Sequence, residues 1–111
     1  MAHPLAAFEW DDARGLLVTD YFNLPVEVWK EPSQRGRDPA VTIFRTVQEM
    51  VEMLVSAGFG LERILEPYPY PLPEMSDAER RAIPYTGPYW ESQYERFARV
   101  PFTIIYTARK Q

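Results

Sequence analysis

Cysteine is absent from this 111-residue chain, which excludes disulfide scaffolds, thiolate metal sites and cysteine nucleophiles. Histidine occurs once, at His3, so a multi-histidine metal site cannot form, and no Ser/His/Asp order is present. The five glycines, at positions 15, 36, 58, 60 and 87, give neither a P-loop nor a G-x-G-x-x-G reading. Hydrolase and NTPase readings therefore lack support. No stretch approaches the ~20 apolar residues of a membrane span. The start, Met1-Ala2-His3-Pro4-Leu5, has no basic region leading into a long apolar run, so a secretory signal is not read there. Basic residues form no stripe. The net charge of −4 and a pI of about 5.0 argue against a nucleic-acid partner. No run of like charge is long enough for an interaction tail. The expectation is a cytoplasmic protein without membrane or nucleic-acid contacts.

What is present supports one domain over residues 1–111. Hydrophobic residues make up 46% and aromatics 14%, enough for a modest core. Residues 1–14 read as irregular and surface-lying, with acidic residues at Glu9, Asp11 and Asp12. The branched and aromatic run from Leu16 to Phe22 reads as a strand. Residues 30–39 read as a polar loop, and the run from Ala40 to Phe44 as a second strand, paired antiparallel with the first because no helical crossover lies between them.

Thr46-Val47-Gln48-Glu49 has the form of a capping box. Behind it Val47, Met50, Val51, Leu54 and Val55 recur with helical spacing, and Gly58 supplies a left-handed stop, so a helix is predicted over 47–57. A strand follows from Gly60 to Glu66. Most of the 11 prolines then fall between Pro67 and Pro101, marking residues 67–100 as an irregular connection rich in proline and aromatics. Within it, Ser76 and Glu79 form a second capping box, opening a helix that Pro84 ends. Trp90, Tyr94 and Phe97 lie at i, i+4 and i+7 behind Pro88, as on a short aromatic-faced helix. Pro101 to Ala108 reads as a strand apolar on both faces, an antiparallel neighbour of the strand from Gly60. The fold class is α+β: about four mostly antiparallel strands, one main helix and one or two short ones.

The landmarks, in order, are His3-Pro4, Asp20-Tyr21-Phe22, Ile43-Phe44-Arg45-Thr46 entering a helix closed by Ala57-Gly58-Phe59, Ile64-Leu65-Glu66-Pro67, Arg99-Val100-Pro101-Phe102, and Ala108-Arg109-Lys110. This series resembles the C-terminal half of class I S-adenosylmethionine (SAM) dependent methyltransferases of the type 11 kind, over nearly the whole chain. The resemblance implies that His3-Pro4 follows the fifth sheet strand, that a hairpin with an aromatic pair covers the substrate, and that the last strand returns antiparallel between strands five and six. The family holds SAM on a glycine-rich turn after its first strand. Gly58-Phe59-Gly60 follows a helix and enters a strand, the reverse context, so the SAM-binding half is absent from this sequence. The implied function is the substrate-recognition part of a small-molecule methyltransferase, inactive alone and binding no cofactor by itself. A partner chain would supply the missing Rossmann-like half. The alternative is a non-enzymatic small-ligand or protein-binding module that dimerises through its exposed sheet edge.

His3, Tyr21, Phe22, Arg45 and Tyr85 are the candidate substrate-binding residues. His3 is the natural general base, against the plainer reading of a terminal side chain in solvent. Arg45 could pair a carboxylate or phosphate, with Tyr21 and Phe22 roofing a cleft; the plainer reading packs Phe22 and Phe44 in the core. Glu9, Asp11 and Asp12 read as a solvated acidic turn rather than a cation site. Tyr68, Tyr70, Tyr85, Tyr89, Trp90 and Tyr94 could hold a flat or apolar ligand, although core packing is the expected role of Trp90 and Phe97.

Overall fold

Thr46 sets the start of the longest helix. Its hydroxyl accepts the Glu49 amide at 3.2 Å, and the Glu49 carboxylate accepts the Thr46 amide at 3.4 Å, a reciprocal cap. Helix α1 spans Val47–Ser56 and closes through Ala57 at Gly58, whose φ of 89° suits glycine alone. The predicted 47–57 therefore holds to within a residue. Its stripe is only half covered: Met50, Val51 and Leu54 are partly buried, whereas Val55 is 56% exposed.

The computed structural model describes residues 1–29, 40–84 and 86–111. The loop expected over 30–39 lies outside them, as does Tyr85. Among the described residues the fold is α+β, with six short strands in three antiparallel pairs where about four strands were expected. Strands β1 (Glu9–Asp11) and β2 (Gly15–Leu17) form a tight hairpin. Asp11 turns it, its carboxylate accepting the Ala13 and Arg14 amides at 2.9 and 2.8 Å. Strand β3 (Val26–Trp29) pairs with β4 (Ala40–Ile43), setting Val26 opposite Ile43 and Val28 opposite Val41.

The expected pairing of the Leu16 and Ala40 strands is thus corrected, since each takes a different neighbour. The Asp11 turn closes the first hairpin locally. The strand then stops at Leu17, and the chain bends again where the Asn23 amide donates to Asp20.

Strand β5 (Phe59–Leu65) follows α1 directly, packs on it, and pairs antiparallel with β6 (Ile105–Lys110), as expected for the last two strands. The strand expected from Pro101 starts later. Residues 102–104 pair instead with the start of the chain: the His3 amide donates to Phe102 at 2.9 Å and the Ile104 amide to Met1 at 3.0 Å. Ala2 faces Thr103 in an antiparallel bridge. The first residues, expected at the surface, are thereby drawn inward, and His3, Pro4 and Phe8 are buried. The run from Pro101 is not apolar-buried on both faces, because Ile104 is 1% exposed and Ile105 41%.

The connection between β5 and β6 carries α2 (Asp77–Arg81), α3 (Pro88–Ser92) and α4 (Tyr94–Arg99). The Ser76–Glu79 cap forms as predicted. The single aromatic helix is broken at Gln93, which sits at φ −97° and ψ 0°. Two arginines tie the connection down. Arg80 donates to the Leu72 carbonyl and to Glu91; Arg96 donates to the Ala6 and Phe8 carbonyls. Phe97 and Phe102 stack 4.5 Å apart with Trp90 against both. With Phe8, Phe44, Leu72 and Ile104 they make the small core. Among the described residues no helix is long and apolar enough to cross a membrane.

Candidate functional site

Because α1 turns back at Gly58 into β5, the helix N-terminus, the carboxyl end of β5 and the start of β6 meet at one end of the molecule. Three of the sequence-predicted residues come together there. Tyr21, Phe22 and Arg45 line a cleft of about 470 Å³ with Glu49, Glu52 and Met53. The Tyr21 hydroxyl accepts the Val47 amide at 3.3 Å, taking one of the donors a helix leaves free in its first turn. Phe22 meets the Tyr21 ring edge-on at 5.5 Å and is 88% exposed, so it roofs the cleft while Phe44 enters the core. Arg45 lies 3.7 Å from Glu49, and both are partly exposed, so this ion pair leaves the guanidinium free to turn toward a bound anion. The helix N-terminus adds a partial positive charge on the same side.

Behind the cleft stands a polar cluster that links two elements remote in sequence. His3 is 4% exposed. Its Nδ1 accepts the Leu5 amide at 3.1 Å, so the ring proton sits on Nε2 and is donated to the Glu66 carboxylate at 2.7 Å. With both nitrogens engaged, the imidazole offers no free lone pair to a substrate. It caps the 3₁₀ turn Pro4–Ala7 and holds the end of β5. The terminal-solvent reading of His3 gives way because its backbone is stitched to Phe102. Nearby, the Tyr106 hydroxyl is buried without a hydrogen-bond partner among the described residues. Burial pushes its pKa above the ordinary 10.0, and the charges of Tyr21 and Glu66 push the same way. Tyr106 thereby stands between the Tyr21 cleft and the His3–Glu66 pair.

Glu66 and Tyr106 were not singled out from sequence. For Tyr106 a signal existed, since it shares the parity of Ile104 on the final strand and so faces inward. Glu66 had none, because its partner lies 63 residues away. A second cleft, of about 580 Å³, is walled by Tyr68, Tyr70, Trp90, Tyr94 and Phe102. Trp90 and Phe97 pack as expected; Tyr68 is 88% exposed and Tyr70 47%.

The described residues do not fit SAM. Three glycines have positive φ: Gly15 in a hairpin, Gly58 between helix and strand, and Gly87 before a five-residue helix preceded by no strand. None makes the strand–turn–helix cradle that a nucleoside cofactor requires. Among the described residues no group of three or more His, Asp or Glu side chains could hold a metal ion. Asp11 spends its carboxylate on its own turn, where the Arg14 and Ala13 amides lower its pKa. No family model matches the chain, and no curated protein or solved structure matches it either.

Proposed function

We propose that the chain is the substrate-recognition part of a small-molecule methyltransferase, whose methyl donor is held by a separate Rossmann-like half. The observation that carries this reading is the convergence of Tyr21, Phe22 and Arg45 on one cleft at the N-terminus of α1. Its volume lies within the range of small-molecule pockets, roughly 300–1,000 Å³. Phe22 and Met53 offer an apolar wall, and Arg45 offers a donor pair for a carboxylate or phosphate. The substrate class is therefore a small molecule with an apolar body and a polar end, an anionic group facing Arg45 or a donor group facing Glu49 and Glu52, and the setting is cytoplasmic. Positioning is what such a part contributes, since methyl transfer depends on holding acceptor and donor in line. Calorimetry tests it: SAM gives no heat with the chain alone and binds once a donor-binding half is added. Tight SAM binding by the chain alone would sink the proposal.

A second reading, a non-enzymatic binding module that forms homodimers, is favoured by one observation. Among the described residues, beyond the Ala2–Thr103 bridge, β6 is paired on one edge only. Unpaired edges attract other chains.

A further inference from the structure

His3 is a buried titratable group that the Tyr21 cleft does not use. Its ring is locked from both sides, Nδ1 by the Leu5 amide at 3.1 Å and Nε2 by Glu66 at 2.7 Å. The histidine is 4% exposed, whereas the Glu66 side chain is 52% exposed. The bond therefore anchors an accessible carboxylate to a fixed, buried donor, which is how a binding group is held in place.

Glu66 follows β5 directly, and Arg99 ends α4. Both line a cleft of about 250 Å³, with Tyr68, Phe97 and Pro101 among its walls. This cleft shares no lining residue with the one at Tyr21. Arg99 is held as well, its guanidinium carbon lying over the Trp10 ring at 5.0 Å. Its contact with Glu95 is 3.5 Å long and both side chains are more than half exposed, so that pair restrains the cation weakly. Among the described residues Glu66 and Arg99 form no ion pair with each other. One cleft is thus lined by an anion and a cation, each positioned by a neighbour and neither neutralising the other.

The charges define the ligand. A neutral molecule would strip water from both groups and give neither a partner. A simple anion or cation would meet one partner and one like charge. A zwitterion satisfies both. The volume lies below the roughly 300–1,000 Å³ of drug-sized pockets, so the molecule is small. We infer that this cleft binds a small zwitterion, with its ammonium on Glu66 and its carboxylate on Arg99. The site goes beyond the methyl-acceptor reading and does not rest on it.

Glycine, β-alanine and 4-aminobutyrate, which differ in charge separation, are the probes, with acetate and methylammonium as the separate halves. Nuclear magnetic resonance titration of the full chain is read at the amides of Tyr68 and residues 97–100. At least one zwitterion is expected to shift them saturably below about 10 mM, at least tenfold more tightly than either half. Glu66→Gln keeps an oxygen for His3 but loses the charge, and should weaken binding at least tenfold with the circular dichroism spectrum retained. Arg99→Gln should do the same, and Arg99→Lys less. Arg109→Gln, at an exposed arginine outside the cleft, should leave binding unchanged. Failure of all three zwitterions to saturate would overturn the inference, as would equal binding of the halves. Loss in Arg99→Gln with none in Glu66→Gln would make this a plain anion site and overturn it too. Equal weakening by Arg109→Gln and Arg99→Gln would reduce the effect to general surface charge.

Discussion

Replacing His3 with alanine removes two hydrogen bonds and opens space in a buried position. The Leu5 amide loses its acceptor and the Glu66 carboxylate its donor. Glu66 is 52% exposed and water can replace the lost donor, so the orphaned amide dominates. We expect His3→Ala to cost about 1–3 kcal/mol in urea unfolding, and His3→Asn, which can still cap Leu5, to recover part of it. Tyr106→Phe should behave oppositely. Its hydroxyl is buried and has no partner among the described residues, so deleting it leaves the urea midpoint unchanged or raised. Tyr106 keeps its proton in the fold at pH values where the unfolded chain releases it. Its contribution is therefore whole below the ordinary 10.0 and is lost as pH rises through the folded value. Thermal melts from pH 8 to 11 should show a smaller alkaline loss in Tyr106→Phe than in the parent; equal losses would place the effect elsewhere.

Helix α1 buries none of its residues fully, so its ends matter more than in a core helix. Thr46→Ala should cost about 1 kcal/mol, read as a lower urea midpoint, because the Glu49 amide loses its acceptor. At Gly58 a side chain would meet nothing within 4 Å, so the penalty there is conformational. Gly58→Ala should cost roughly 1–2 kcal/mol in the same titration, and Gly58→Asn less. These elements were legible because caps, spacing and stops are local. Residues 46, 49 and 58 announce α1, and Ser76 with Glu79 announces α2. Pairing was less legible. Strand β3 was missed in the sequence, because the alternation of Val26 and Val28 is short and follows directly on Pro25. The partner of β2 was chosen by the Asp11 turn rather than by apolar pattern. The spacing of Trp90, Tyr94 and Phe97 fits one helix or two, and only the backbone at Gln93 decides between them. At the site, aromatic and basic residue types pointed to Tyr21, Phe22 and Arg45. Glu66 needed a contact that no local pattern encodes.

For the molecule as a whole, a radius of gyration of 16.5 Å compares with about 13 Å for a compact chain of this length. If copies associate, as the second reading proposes, mass action should show directly. Melting temperature is expected to rise with protein concentration between about 1 and 100 µM; a flat response would count against association. The tie between Met1 and Ile104, 103 residues apart, also bears on how the chain is made. On a ribosome adding about 5–20 residues per second, residues 1–8 wait roughly 5–20 s for residues 102–104, which shelter them. Until then the His3 ring and the Phe8 side chain stay in contact with water or with whatever escorts the nascent polypeptide. Slowing translation over the codons of residues 95–104 should lengthen that window and raise protease sensitivity at residues 1–8.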